Sequence, residues 1–363
     1  MGKIDKNLSL EDKKENSLHW VNPLTSKDIS IYGFAWIKQD QNYRRFAQTF
    51  DEVIKIISPN VDMLANMTAG GQVHFQTDSS VIAVDVELPG LSQMSRMTIT
   101  AQSGFDCYIG NDYNSLKFHS SANFSCDSTS YRYIFFDNIP GKKLVVLNFP
   151  LYNGVTGLKI GVSKQKKIFL PEPLPNWGRI IFYGTSITQG ACAGRPGLCY
   201  TNIISRDLGI ECLNFGFSGS AFGETDIARE ISKIKNARMY IIDYEANAGT
   251  SGKLYTTLEP FIKVIRESYN YVPIIVVSRI KYLYDELFPT TLGKERKRIK
   301  DFQRNVVLKL NQMGDSNIHF IDGELLMNSD YDECSVDTIH PNDLGLYRIA
   351  KFLGKKIKKI LNI

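Results

Sequence analysis

The segment Leu170-Pro171-Glu172-Pro173-Leu174-Pro175 separates two stretches of chain whose apolar residues repeat with different periods. Three prolines in alternation favour extended polyproline geometry, so 169–177 reads as a stiff linker. From about 30 to 168 the period is two. Val73, Phe75 and Thr77 alternate with polar neighbours, as do Ile82, Val84, Val86 and Leu88, and the aromatic and β-branched runs 131–136 and 144–149 close on Asn138-Ile139-Pro140-Gly141 and Pro150. Many short strands with no helical stretch predict an antiparallel β-sandwich over 30–168, behind an N-terminal extension at 1–29. Beyond the linker, apolar strands at 179–183, 211–214, 239–242, 273–278 and 318–321 alternate with helical patterns such as Ile227, Ile231, Ile234 and Ile299, Phe302, Val306, Leu310. That alternation predicts a doubly wound α/β domain over 178–363.

Within the second half, Gly184-Thr185-Ser186-Ile187-Thr188-Gln189-Gly190 follows the first strand directly, and Asp337-Thr338-Ile339-His340-Pro341 stands near the C-terminus. A serine hydroxyl is a weak nucleophile. It needs an imidazole to accept its proton and a carboxylate to hold the imidazole in the right tautomer, roles open to Ser186, His340 and Asp337. A strand-to-helix turn lifts the serine clear of the sheet and aims helix N–H groups at a developing oxyanion, and small residues at 184 and 190 permit the turn.

Gly184-Thr185-Ser186-Ile187 resembles the first block of the SGNH (GDSL-like) hydrolases, with Thr185 where their Asp is usual. Asn214-Phe215-Gly216-Phe217-Ser218-Gly219-Ser220 resembles the second block, whose glycine donates a backbone N–H to the oxyanion; the match falls on Gly219. The third block is irregular. Asn247, in Asp243-Tyr244-Glu245-Ala246-Asn247, stands where the family has its oxyanion-hole asparagine, but Glu245 and Ala248 replace the usual flanking residues. The fourth element, Asp337-x-x-His340, matches fully. Gly104-Phe105-Asp106-Cys107-Tyr108 resembles the Gly-x-Asp-Leu-Tyr signature of a β domain that precedes certain SGNH esterases, and 71–79 fits the same domain. The resemblance implies a jelly-roll-like sandwich followed by a flavodoxin-like three-layer α/β/α hydrolase domain. It also implies catalytic Ser186, His340 and Asp337, and an oxyanion hole from Ser186, Gly219 and Asn247.

Each fragment has a plainer reading. Gly-Thr-Ser after a strand is a common βα turn, Asp-x-x-His can be the lead into a helix cap, and Asn247 can simply shape a loop. Four elements in family order, each in its place relative to a strand, favour the catalytic reading. Ser218 is a rival nucleophile, but Ser220 replaces the closing glycine of a Gly-x-Ser-x-Gly elbow.

Other chemistries lack support. No Gly-x-Gly-x-x-Gly follows a strand and no phosphate loop occurs, so no nucleotide cofactor is expected; the five histidines show no metal-ligand spacing, so no metal is expected either. The net charge of +5 comes largely from 294–298 and 355–359, which read as solvated helix faces rather than a nucleic-acid surface. No run approaches the ~18 apolar residues of a membrane span. Met1-Gly2-Lys3-Ile4-Asp5-Lys6 lacks a signal peptide's apolar core, leaving an extracytoplasmic location if an export signal has been removed and the cytoplasm otherwise. Cys192 and Cys199 bracket 193–198; a disulfide and two free thiols are both open.

The expected activity is removal of a short acyl group, acetyl first, from a carbohydrate or related ester. Acyl transfer by the same residues, and a carbohydrate-binding protein with an inactive hydrolase domain, are the alternatives. Residues near Gly104-Phe105-Asp106 or Asp78-Ser79 are expected to reach the site.

Overall fold

The computed structural model describes residues 18–363, so 1–17 of the expected N-terminal extension lie outside the described residues. Its first half is a sandwich of two antiparallel sheets. One has the order β1 (Leu18–Val21), β9 (Gly157–Ser163), β4 (Ile82–Glu87), β7 (Ser130–Phe136). The other runs β10 (Ile168–Phe169), β3 (Gln72–Thr77), β8 (Lys143–Asn148), β5 (Asp106–Gly110), β6 (Lys117–Ser121), with β2 (Ser30–Tyr32) also on β3. The core between them holds Val73, Phe75, Val84, Phe105, Leu147 and Ile160. β1 falls inside the stretch expected as an extension, yet it pairs along β9 from Leu18↔Ser163 to Val21↔Ile160.

The expectation of no helix between 30 and 168 is wrong. Helices α1 (Ile37–Asp40), α2 (Asp51–Ile57) and α3 (Pro59–Ala65) follow β2, and α4 (Ile99–Ser103) precedes β5. α2 and α3 send Ile54, Val61 and Leu64 into the core of the second half, with Phe50 just ahead of α2, beside Phe215, Ile227 and Tyr244. Seven-residue helices are too short to print a clear 3.6-residue period, and their stability comes from the surface they cover.

The second half is a five-stranded parallel sheet of order β12 (Glu211–Gly216), β11 (Arg179–Gly184), β13 (Ala237–Asp243), β14 (Ile274–Val277), β15 (Ile318–Ile321). Counted along this domain the order is 2-1-3-4-5, the flavodoxin-like doubly wound arrangement. α5 (Ser186–Gln189), α6 (Tyr200–Leu208), α7 (Thr225–Ile231), α8 (Glu245–Ala248), α9 (Leu254–Ser268), α10 (Leu283–Leu287), α11 (Lys294–Gln312) and α12 (Asp343–Leu361) complete the domain. α6 and α12 cover one face, α7, α9 and α11 the other.

The alternation read in β3 under-describes it, because both faces are covered. Val73 and Phe75 face the sandwich core, while Gln72 and His74 are buried on the opposite face. Gln72 Nε2 donates to Asn148 Oδ1 at 2.8 Å, Asn148 Nδ2 to Asp106 Oδ1 at 2.7 Å, and Ser205 Oγ of α6 approaches Gln72 Oε1 at 3.5 Å. The His74 ring nitrogens lie 3.2 Å from Gln72 Oε1 and 3.3 Å from Tyr113 Oη, and Tyr113 donates at 2.9 Å to the carbonyl of Glu172 in the linker. The sandwich thus docks through a buried polar layer.

Burial pushes His74 down to about 3. An unfolded histidine titrates near 6.5, so the unfolded state takes up a proton that the folded state refuses, and stability is lost as pH falls from about 6.5 towards 3. His74→Gln should flatten the fall in unfolding midpoint through that window; an unchanged slope in denaturant melts between pH 7 and 4 would assign the acid sensitivity elsewhere.

Candidate active site

Ser186 opens α5 at the tip of β11. Thr185 caps that turn, its side chain accepting from Ile187 N, and Gly184 is required beneath it because a Cβ there would lie 2.1 Å from Thr188 Oγ1. Gly190 ends the turn at φ +105, a left-handed conformation natural to glycine. The order 2-1-3 leaves a crevice at the carboxyl ends of β11 and β13, and Ser186 stands there.

Ser186 Oγ lies 3.0 Å from His340 Nε2, and His340 Nδ1 lies 2.9 Å from Asp337 Oδ2. Asp337 Oδ1 accepts the amides of Ile339 at 3.1 Å and His340 at 2.7 Å, so one carboxylate oxygen shapes the turn and the other holds the ring. Val336 N donates to His340 O at 2.9 Å and closes the loop; Asn342 caps α12 through Gly345 N. Asp337 and His340 therefore sit just before the helix. Thr338 takes φ +70, costly for a β-branched residue, so the surrounding bonds hold the turn against its own backbone preference. Burial alone would raise the Asp337 carboxyl, but the His340 amide and ring and the Ile339 amide hold it well below the usual carboxylate range. It stays charged wherever a neutral imidazole can accept a proton from Ser186.

The neighbouring loops are tied to this chain of bonds. Gln189 Oε1 accepts Ser218 N at 3.0 Å, and Gln189 Nε2 donates to Leu151 O of the sandwich at 3.2 Å. Gly219 is exposed at φ +66, in a turn closed by Ser220 N on Phe217 O at 3.0 Å. Asn247 Nδ2 donates to Phe217 O at 3.3 Å, which brings the second and third blocks together. The Ser218 amide is spent on Gln189, and it is Ser186, not Ser218, that bonds His340.

The irregular third block has a structural cause. Glu245, at the position of the usual glycine, is buried and turns inward, accepting Arg279 N at 2.8 Å and Gln303 Nε2 at 2.6 Å. Burial, joined by the charge of Glu245, pushes nearby Asp243 up to about 7.

Asp106 of the Gly-x-Asp-Cys-Tyr segment does not face Ser186. It is fully buried, accepting Arg195 Nη1 at 2.8 Å and Gly197 N at 2.8 Å, while Arg195 also donates to Tyr108 Oη at 2.7 Å and stacks over Phe118 at 3.7 Å. It anchors the segment that follows Ser186. Asp78 pairs with Lys166, and Ser79 bonds within the sandwich. The sandwich reaches the site instead through the segment around 92–98 and through Tyr152, whose Oη donates to Ser186 O at 3.4 Å. Cys192 and Cys199 are free thiols, the latter buried with its Sγ 3.3 Å from Thr201 Oγ1. No cluster of three potential metal ligands occurs among the described residues, and no helix among them is long and apolar enough to cross a membrane.

Arg45 and Arg96 are the residues that sequence reasoning missed. Arg45, fully enclosed, donates to Gly216 O at 2.7 Å and Asn214 O at 3.0 Å, pinning the end of β12 just before Phe217-Ser218-Gly219. Burial lowers its pKa to about 9, which leaves it cationic at neutral pH. No local motif marks it, because its acceptors are backbone carbonyls of a strand about 170 residues away.

Fold and site together define an SGNH-type ester hydrolase. The chain matches the GDSL-like Lipase/Acylhydrolase family over residues 178–358 and the N-terminus of SGNH-hydrolase-type esterases, GxDLY, over 18–168. It belongs to this family, and the class of enzyme is a carboxylic ester hydrolase. No curated protein matches it. Among solved structures it is similar to a Bacteroides ovatus protein described as a GDSL-like lipase, at 28% identity and TM-score 0.86, covering 96% of this chain and 99% of that one. A salicylyl-acyltransferase from a tetracycline biosynthetic pathway shares the fold at 18% identity and TM-score 0.76 over 96% and 99% of the two chains. A family two carbohydrate esterase from Clostridium thermocellum, in complex with cellohexaose, shares it at 16% identity and TM-score 0.59 over 81% and 93%.

Asp106→Ala should be strongly destabilising, by about 3–5 kcal/mol, because it strands the Arg195 guanidinium and the Gly197 amide. Chemical denaturation checks this; a loss below about 1 kcal/mol would mean that water replaces the carboxylate.

Proposed function

We propose that this enzyme removes a short acyl group, acetyl first, from a carbohydrate or related ester through an acyl-enzyme on Ser186. The observation that carries the reading is the continuous chain from Ser186 Oγ through the His340 ring to Asp337. His340 Nε2 takes the hydroxyl proton as Ser186 Oγ attacks the ester carbonyl carbon. The tetrahedral oxyanion is met by the Ser186 and Gly219 amides and Asn247 Nδ2, and collapse expels the alcohol, which receives the proton from His340. Water then attacks the acyl-enzyme with His340 again as base, releasing the acid and free Ser186.

Support for a carbohydrate ester is the fold shared with the cellohexaose-bound esterase, which at its low identity speaks to architecture only. Hydrolysis is preferred over transfer because the segment after Ser186 is short and pinned by Arg195, leaving no long insertion there to exclude water.

Ser186→Ala should abolish both hydrolysis of 4-nitrophenyl acetate and labelling by a fluorophosphonate probe. A fully labelled variant would remove Ser186 from the nucleophile's role. Asn247→Ala should lower kcat about 10²-fold with little change in KM, as expected of a donor that meets the oxyanion only in the transition state; an unchanged kcat would assign the donor elsewhere. With an acetylated xylo-oligosaccharide and a second sugar as acceptor, free acetate should appear at the rate of substrate loss, whereas acetylated acceptor as the main product would establish a transferase.

A further inference from the structure

Arg96 Nη1 lies 2.5 Å from Asp337 Oδ2, the same oxygen that accepts His340 Nδ1 at 2.9 Å. The two residues are 241 positions apart and come from different domains. We infer that Arg96 is a positioning residue for the Ser186–His340–Asp337 chain, its guanidinium fixing the carboxylate oxygen that in turn fixes the His340 ring. The inference rests on the proposed role of Ser186.

Two features separate this contact from an ordinary surface ion pair, which contributes little because two flexible side chains must be immobilised in water. First, the acceptor is already constrained: Asp337 is 8% exposed at its side chain, with Oδ1 committed to two backbone amides. A cation on Oδ2 therefore acts on a carboxylate that can hardly rotate away. Second, the donor's backbone is held on both sides. Gln102, buried, accepts Met94 N at 2.7 Å and the Ser92 hydroxyl at 3.1 Å, and donates to the carbonyls of Met94 at 3.1 Å and Met97 at 2.8 Å. Two residues beyond Arg96, Thr98 Oγ1 donates to Gly194 O at 2.7 Å, and Gly194 N donates to Asp343 Oδ1 at 2.7 Å at the start of α12. The 92–98 segment is thus bonded to the loop after α5 and, through Gly194, linked to the start of α12, the helix that follows the Asp337–His340 turn.

The charge of Arg96 gives a signature that a merely structural contact lacks. A guanidinium on Asp337 offsets part of the negative field that favours the imidazolium, so removing it makes His340 harder to deprotonate. Cys192, in the segment after α5, also feels the charge of Asp337, and Asp343 on α12 holds the nearby Gly194 amide. Asp243, at the end of β13, is pushed up to about 7 by burial and by Glu245, with no contribution from Arg96, and although Cys192 does feel Arg96, burial and Asp337 push its thiol up to about 11, far above an acid limb. The comparison of variant with parent isolates Arg96.

The test uses the full chain with Arg96→Met, Arg96→Lys and Ser186→Ala, measuring kcat, KM, the pH dependence of kcat/KM on 4-nitrophenyl acetate, fluorophosphonate labelling and thermal unfolding. Arg96→Met should stay folded, lose roughly ten- to a hundredfold in kcat with KM within about twofold, and move the acid limb of the profile to higher pH. Arg96→Lys should recover part of kcat and return the acid limb towards its original place. Raising NaCl should move the parent's acid limb in the same direction as Arg96→Met, because the Arg96 side chain is 61% exposed and its field is screened. An Arg96→Met enzyme with parental kcat and acid limb, or one that loses kcat while the limb stays put, overturns the inference. Should Arg96→Met fail to fold, Arg96→Lys and the salt series decide by the same limb. Labelling or activity retained in Ser186→Ala would instead overturn the reading of the site and leave the Arg96 contact a separate question.

Discussion

The reversal of strand order at β11 is the constraint on which the rest of the molecule depends. With β12 on one side and β13 on the other, the connections leaving β11 and β13 diverge, and the space between their carboxyl ends cannot be filled by either. Ser186 opens on that space, and the loops ending β12 and β13 carry Gly219 and Asn247 to its edge. Almost every polar side chain nearby serves to hold those loops: Gln189 ties α5 to Ser218, Arg45 pins the end of β12, and Glu245 moors the third block to Arg279 and α11.

The two domains are joined by polar chemistry under cover. Gln72, His74, Asn148 and Asp106 form a buried hydrogen-bonded layer, and Arg195 completes it from the other domain. Such a layer adds orientation more than stability, since each group is costly unless its partner is in place. A fixed orientation is what the site needs. Arg96 can reach Asp337, and Thr98 can reach Gly194, only if the sandwich meets the α/β domain in one register. The β domain is in this sense part of the site's framework.

Much of this was legible beforehand, for identifiable reasons. The five parallel strands were visible because a strand buried on both faces is a continuous apolar run between helical repeats, and the observed ends differ from the expected ones by a residue or two. The Ser186 turn and the Asp337–His340 turn were visible because each is a local motif whose bonds close within a few residues. The helices at 37–65 were missed because they are short and their apolar residues answer to a sheet that the chain has not yet built. Asp106 was recognised as part of a motif but expected near the substrate. Nothing local distinguishes a carboxylate that binds ligand from one that binds an arginine 89 residues on.

The sequence by itself therefore determined the two architectures and the local turns that carry Ser186 and the Asp337–His340 pair, since all of these follow from periodicity and short-range geometry. Only the tertiary structure decided that His340 turns to Ser186 rather than Ser218, that Glu245 faces inward, and that the sandwich touches the site through Arg96. These depend on contacts between segments tens to hundreds of residues apart, whose formation is governed by which surfaces meet when both domains close, and no local pattern in the chain encodes that meeting.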